Sequence, residues 1–91
     1  MIASWKHKGL RDLFLTGTSA KVRADQQKIC LRLLDALDQA VLPEDMNLPG
    51  LHFHGLQGKP KRYAVAVNGP WRITFGFSDG SAIDVVLEQY H

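Results

Sequence analysis

The chain has 91 residues, of which 45% are hydrophobic and 22% charged, with a formal net charge of +2. This length points to a single domain spanning residues 1–91, and the composition excludes an intrinsically disordered chain. With no apolar run near the ~18 residues of a membrane span, no secretory signal in Met1-Ile2-Ala3-Ser4-Trp5-Lys6 and one cysteine, Cys30, the expectation is a cytoplasmic protein with no membrane partner and no internal disulfide.

In chain order, Ile2 to Trp5 suits an edge strand. Leu10, Leu13 and Phe14 fall on one side of a helix that Gly17 stops. A polar linker, Thr16 to Arg23, leads to Asp25 as the N-cap of a second helix. Cys30, Leu33, Leu34, Leu37 and Val41 form its apolar stripe, which Pro43 ends, and Cys30 is read as core rather than catalytic. Pro43 to Gly50 predicts a loop with one short helical turn.

Beyond Gly50 the period changes from 3.6 to 2. In Leu51-His52-Phe53-His54 the two histidines share a face at strand spacing. Tyr63 to Val67, Trp71 to Phe77 and Ala82 to Tyr90 predict further strands, joined by hairpins at Asn68-Gly69 and Asp79-Gly80. The fold class is therefore α+β: two N-terminal helices packed on one face of an antiparallel meander. Phe53, Ile73, Phe75, Ile83, Val85 and Leu87 are expected on the helix side, and His52, His54, Arg72, Thr74, Asp84 and Glu88 on the open side.

Charge is unevenly distributed. No acidic residue lies between Asp45 and Asp79, while that stretch holds Lys59, Lys61, Arg62, Arg72, His52 and His54. Such a patch attracts the phosphates of RNA. His52 and His54 lack a convincing third partner for a metal, and their imidazoles suit proton transfer or phosphate contact. Lys59, Lys61 and Arg62 share a basic loop with Gly58 and Pro60 that forms a candidate phosphate cradle. Arg72, in mid-strand, fits either stabilisation of a charged transition state or a cross-strand pair with Glu88 or Asp84. At the end of the last strand, Tyr90 can stack on an unpaired base, and His91 brings an imidazole beside the terminal carboxylate.

The motifs Asp45-Met46-Asn47-Leu48-Pro49-Gly50-Leu51, His54-Gly55-Leu56-Gln57-Gly58, Val67-Asn68-Gly69-Pro70-Trp71-Arg72-Ile73-Thr74-Phe75 and the closing Tyr90-His91 occur in this order. Together with Ile2 to Leu10 and Leu34-Asp35-Ala36-Leu37-Asp38, this set resembles the HigB toxins of the RelE/ParE superfamily over nearly the whole chain. The resemblance implies a RelE-like microbial ribonuclease fold and a toxin of a type II toxin–antitoxin pair. Such a toxin enters the ribosomal A site and cuts messenger RNA, needing no metal and no cofactor. The ribose 2′-hydroxyl attacks the adjacent phosphate. The implied partners are a HigA-type helix-turn-helix antitoxin, the ribosome and mRNA, with operator DNA met only through the antitoxin complex.

By the same resemblance His54 is an acid or base, Arg72 the arginine of the Trp-Arg-Ile motif, Tyr90 the stacking aromatic and His91 the terminal imidazole. Lys59 and Lys61 correspond loosely to loop lysines. The chain departs from related toxins at Gln57, where they carry lysine, and at Gln89, where they carry aspartate, which leaves that carboxylate's part to Glu88 or the terminal carboxylate. Two alternatives share the fold: a non-catalytic, ParE-like gyrase inhibitor, and a degenerate toxin kept as a partner of its antitoxin and operator.

Overall fold

Two helices and a four-stranded antiparallel sheet account for residues 1–89, the residues that the computed structural model describes. The expected Tyr90 and His91 site positions lie outside the described residues. Helix α1 spans Lys8–Thr16 and buries Leu10 and Leu13. The imidazole of His7 caps it by accepting from the Leu10 amide at 2.9 Å. Gly17 ends it in the left-handed region (φ 86°), and its N–H donates to the Leu13 carbonyl.

Helix α2 spans Ala24–Gln39. Its buried face is Gln26, Cys30, Leu33, Leu34 and Leu37, which reproduces the expected stripe except at its two ends. Arg23, not Asp25, occupies the N-cap position, and Asp25 lies inside the first turn, where a negative charge suits the helix dipole. Val41 is 64% exposed rather than in the core. The helix stops short of Pro43 because the Asp45 carboxylate accepts from the amides of both Val41 and Leu42, at 2.9 and 3.1 Å. Those amides thus find a partner outside the helix. A 3-10 turn, Pro43–Met46, follows and buries Met46.

Burial within α2 pushes the Cys30 thiol up from 9.0 to about 11, because desolvation penalises the thiolate. The native protein is therefore expected to resist a thiolate-selective reagent such as DTNB at about pH 8 and to react once unfolded in denaturant. Rapid labelling of the native chain would contradict this packing. The folded thiol holds its proton beyond the unfolded value. Its contribution to stability is thus present below pH 9 and lost as pH rises through about 11.

The strands are β1 (His54–Leu56), β2 (Arg62–Ala66), β3 (Trp71–Ser78) and β4 (Ser81–Gln89), in the spatial order β1-β2-β3-β4. Asp79 and Gly80 both take positive φ in the β3–β4 turn, as an Asp-Gly hairpin requires. At the β2–β3 turn, Val67 donates to the Trp71 carbonyl and Trp71 to the Asn68 carbonyl, enclosing Asn68-Gly69-Pro70. The turn is tied to α2 by a buried amide contact, Gln26 Nε2 to Asn68 Oδ1 at 2.9 Å.

The N-terminal segment does form an edge, pairing parallel to β4 through Ile2 with Ala82 and Trp5 with Val85. The core lies between the helices and one sheet face. Leu10, Leu13, Leu34 and Leu37 meet Val65, Ile73, Phe75, Val85 and Leu87 there, with Phe53, Tyr63 and Trp71 packed at its margin.

Ile83 departs from the expected pattern. Thr74 pairs with Val86 and Gly76 with Ile83, so one residue of β3 opposes two of β4. This bulge, with Asp84 at φ 50°, inverts the alternation before it. Ala82 therefore fills the core position expected of Ile83, while Ile83 crosses Gly76 on the other face. The bulge is pinned by Ser4, whose hydroxyl oxygen accepts from the Asp84 amide at 2.8 Å.

Candidate active site on the open sheet face

Antiparallel register sets the geometry of the open face. His54, Ala64, Thr74 and Val86 form one row across the four strands, and Ala66, Arg72 and Glu88 form the next. Arg62 lies in the row on the other side, so the two arginines flank the row that begins with His54. Adjacent strands are about 4.8 Å apart and same-face rows roughly 7 Å apart. His54, Arg62, Arg72 and Glu88 thus share one patch.

Each side chain is held differently. The Nδ1 of exposed His54 lies 3.0 Å from the His52 carbonyl oxygen. A carbonyl only accepts, so Nδ1 carries the proton and the basic lone pair of the neutral ring is on Nε2. Arg72 donates from Nη1 to the carbonyls of Gly69 and Trp71, at 2.7 and 2.8 Å. The turn therefore orients the guanidinium without neutralising it. Glu88 opposes Arg72 in register, yet the ion pairs among the described residues are Arg11–Asp12 and Arg23–Asp25. The cross-strand Arg72 pair with Glu88 or Asp84 is absent from that set.

Arg62 opens β2 instead of lying in the basic loop. It is half-buried and spans three strands, donating from Nη2 to Thr74 Oγ1 on β3 at 3.1 Å and to the Asp84 carbonyl on β4 at 2.9 Å. Thr74, expected on a solvated face, is fully buried beneath it and donates to Glu88 Oε2.

The remaining expected residues are not part of this patch. His52 sits before β1 at φ 51°, so the two histidines do not share a strand face, and His52 meets the His54 ring through its backbone carbonyl. Lys61 lies over Gly55 with its Nζ 5.9 Å from the Tyr63 ring centroid, on the face opposite His54. Lys59 is exposed in the loop before β2. No three of the described His, Cys, Asp and Glu residues come together as a metal site requires. A shallow groove of about 380 Å³, lined by Arg23, Asn68, Gly69, Pro70, Trp71 and Gln89, adjoins the Arg72 turn. Its described lining brings no imidazole or carboxylate.

From sequence Thr74 has no chemical role, and Glu88 enters as a cross-strand partner for Arg72 or as one substitute for a missing acid. Period-2 alternation places both on the open face, but their contact depends on β3–β4 register, which the bulge resets.

Comparison with known proteins agrees with this architecture. A sequence model of the family described as the RelE-like toxin of the type II toxin-antitoxin system HigB matches residues 3–91. The chain is also similar to a Proteus vulgaris protein named Endoribonuclease HigB, being 37% identical over 92 residues that cover 100% of both chains. With a match of this extent, and with two helices on an antiparallel sheet whose other face gathers imidazole and guanidinium groups, the chain belongs to the HigB-like family of RelE-like toxins of type II toxin–antitoxin systems.

Proposed function

We propose that this toxin is a metal-independent endoribonuclease that cuts translated messenger RNA in the ribosomal A site. The observation that carries the reading is the gathering of His54, Arg62 and Arg72, from three different strands, on one sheet face. The curated relative's name, an endoribonuclease, supports the same chemistry. The reaction is attack of a ribose 2′-hydroxyl on the adjacent phosphate, giving a cyclic phosphate and a 5′-hydroxyl.

Arg72 is the phosphate anchor. Its Nη1 protons go to the turn, and Nε and Nη2 offer a fork of donors that matches phosphate oxygens as charge builds. His54 works through Nε2 as an acid or base. Tyr90 stacks on a base and His91 supplies a second imidazole. They follow Gln89, whose register partner is Trp71, the neighbour of Arg72. Lys59, exposed in the loop before β2, raises the positive potential near the patch and draws in the RNA backbone, whereas Lys61, on the opposite face, and His52, before β1, are given no contact with the scissile phosphate. The partner is a HigA-type helix-turn-helix antitoxin, and operator DNA is met through that complex. The site of action is the cytoplasm, where ribosomes are engaged.

The test is to induce the wild-type chain and an Arg72→Ala, His91→Ala double variant in growing cells and map messenger 5′ ends. New 5′-hydroxyl ends within translated reading frames are expected for the wild type alone. Equal growth without new ends in either strain would sink the proposal. Inhibition of gyrase supercoiling without RNA ends would place the chain with the non-catalytic ParE-like toxins.

A further inference from the structure

We propose that Glu88 is the catalytic carboxylate that takes the proton of the attacking 2′-hydroxyl, and that Thr74 and Arg62 are the positioning residues that aim it. This rests on the ribonuclease reading above and adds to it a base and the device that holds that base.

Hydrogen-bond polarity carries the inference. A guanidinium only donates, so the 3.1 Å contact from Arg62 Nη2 uses a lone pair of Thr74 Oγ1. The single hydroxyl proton of Thr74 is then committed to Glu88 Oε2. Thr74 is fully buried, so solvent does not compete for that proton. Arg62 is itself fixed by the Asp84 carbonyl, which exists at that spot because of the bulge. The result is a directed chain, Asp84 carbonyl to Arg62 to Thr74 to Glu88, in which each member strengthens the next. It engages one carboxylate oxygen and leaves the other for a substrate.

Glu88 is half-buried and faces Arg72 across the strand pair. Arg72 is turned to the carbonyls of its own turn and does not consume the carboxylate. A phosphate bound at Arg72 therefore lies beside a carboxylate of fixed orientation. His54 stands on β1, three strand spacings and one same-face row away, roughly 16 Å between backbones. This separation leaves room for a phosphodiester between base and acid, as in-line displacement requires.

In the step itself, the 2′-O–H proton passes to Glu88 and the 2′-oxygen forms a bond to phosphorus. The bond from phosphorus to the 5′-oxygen breaks, and the departing oxygen takes a proton from the protonated imidazole of His54. Glu88 returns its proton to solvent and His54 regains one. Nothing is oxidised or reduced and no co-reactant is consumed.

The experiment measures cleavage of messenger held on programmed ribosomes by the full chain, with thermal midpoints recorded for every variant. Glu88→Gln, nearly isosteric, is expected to lower kcat/KM by about 100-fold and to flatten the acidic limb of the pH–rate profile. Thr74→Val is expected to lower kcat about tenfold with KM unchanged, and Thr74→Ser, which keeps the hydroxyl, to restore it. Cleavage by Glu88→Gln within about threefold of wild type overturns the assignment, as does an unaltered acidic limb. Failure of that variant to fold assigns the carboxylate to structure and overturns it equally. Absence of cleavage by the wild-type chain overturns the underlying ribonuclease reading, and this proposal with it.

Discussion

Replacement of Arg72 by alanine is expected to slow messenger cleavage by about 10² to 10³-fold, the scale seen when one donor to a developing oxyanion is removed. The expectation follows from how the side chain is held. Two carbonyls of the β2–β3 turn take the Nη1 protons, so the fork is aimed before substrate arrives and costs no reorganisation at the moment of reaction. The Gly69 carbonyl is exposed, so water can replace the guanidinium there, and the half-buried Trp71 carbonyl keeps the Val67 amide as a second partner, so the folding cost should be about 1 kcal/mol. Arg72→Lys keeps the charge but not the planar fork and is expected to recover only part of the rate. Single-turnover cleavage on ribosomes, compared with urea denaturation of the same proteins, separates the two effects. Activity within about threefold of wild type, or a rate loss that merely tracks unfolding, would remove Arg72 from the site.

The largest effect on stability is expected at Phe75. Phe75→Ala should cost about 3–5 kcal/mol, a large share of the ~5–15 kcal/mol typical of a whole domain. The ring is fully buried in mid-β3, with Tyr63 at 5.9 Å and Phe77 at 6.2 Å between centroids. It is also the β3 residue that opposes the two bulged residues of β4, so a void there loosens the segment that anchors Arg62. Phe75→Leu, which leaves a smaller void, should cost markedly less. Urea midpoints decide the matter, and a loss below about 1 kcal/mol for the alanine variant would mean that the core is not centred on this ring.

Much of this molecule follows from periodicity. Cys30, Leu33, Leu34 and Leu37 mark the buried side of α2, and alternation along β3 sorts Ile73 and Phe75 from Arg72 without knowledge of pairing. The same alternation puts His54 and Arg72 on a common face. Features set by contacts distant in sequence were not legible. The bulge at Asp84 depends on Ser4, 80 residues away, so Ile83 and Ala82 exchange roles with no local signal. The end of α2 is decided by the Asp45 carboxylate rather than by Pro43 alone. His52 reads as half of a strand pair because alternation does not reveal a left-handed backbone at that residue. Arg62 reads as a loop cation because its two acceptors become neighbours only when β2, β3 and β4 are in register.

The segment from Ile2 to Trp5, zipped alongside β4, also bears on how the molecule behaves in a crowded solution. Unpaired strand borders invite other chains to add on and grow into aggregates. Here the first half of β4, from Ala82 to Val85, is covered on its outer side, and the opposite border is the three-residue β1, so the open stretches are short. A copy parted from its antitoxin thus offers little template for self-association and should stay dispersed.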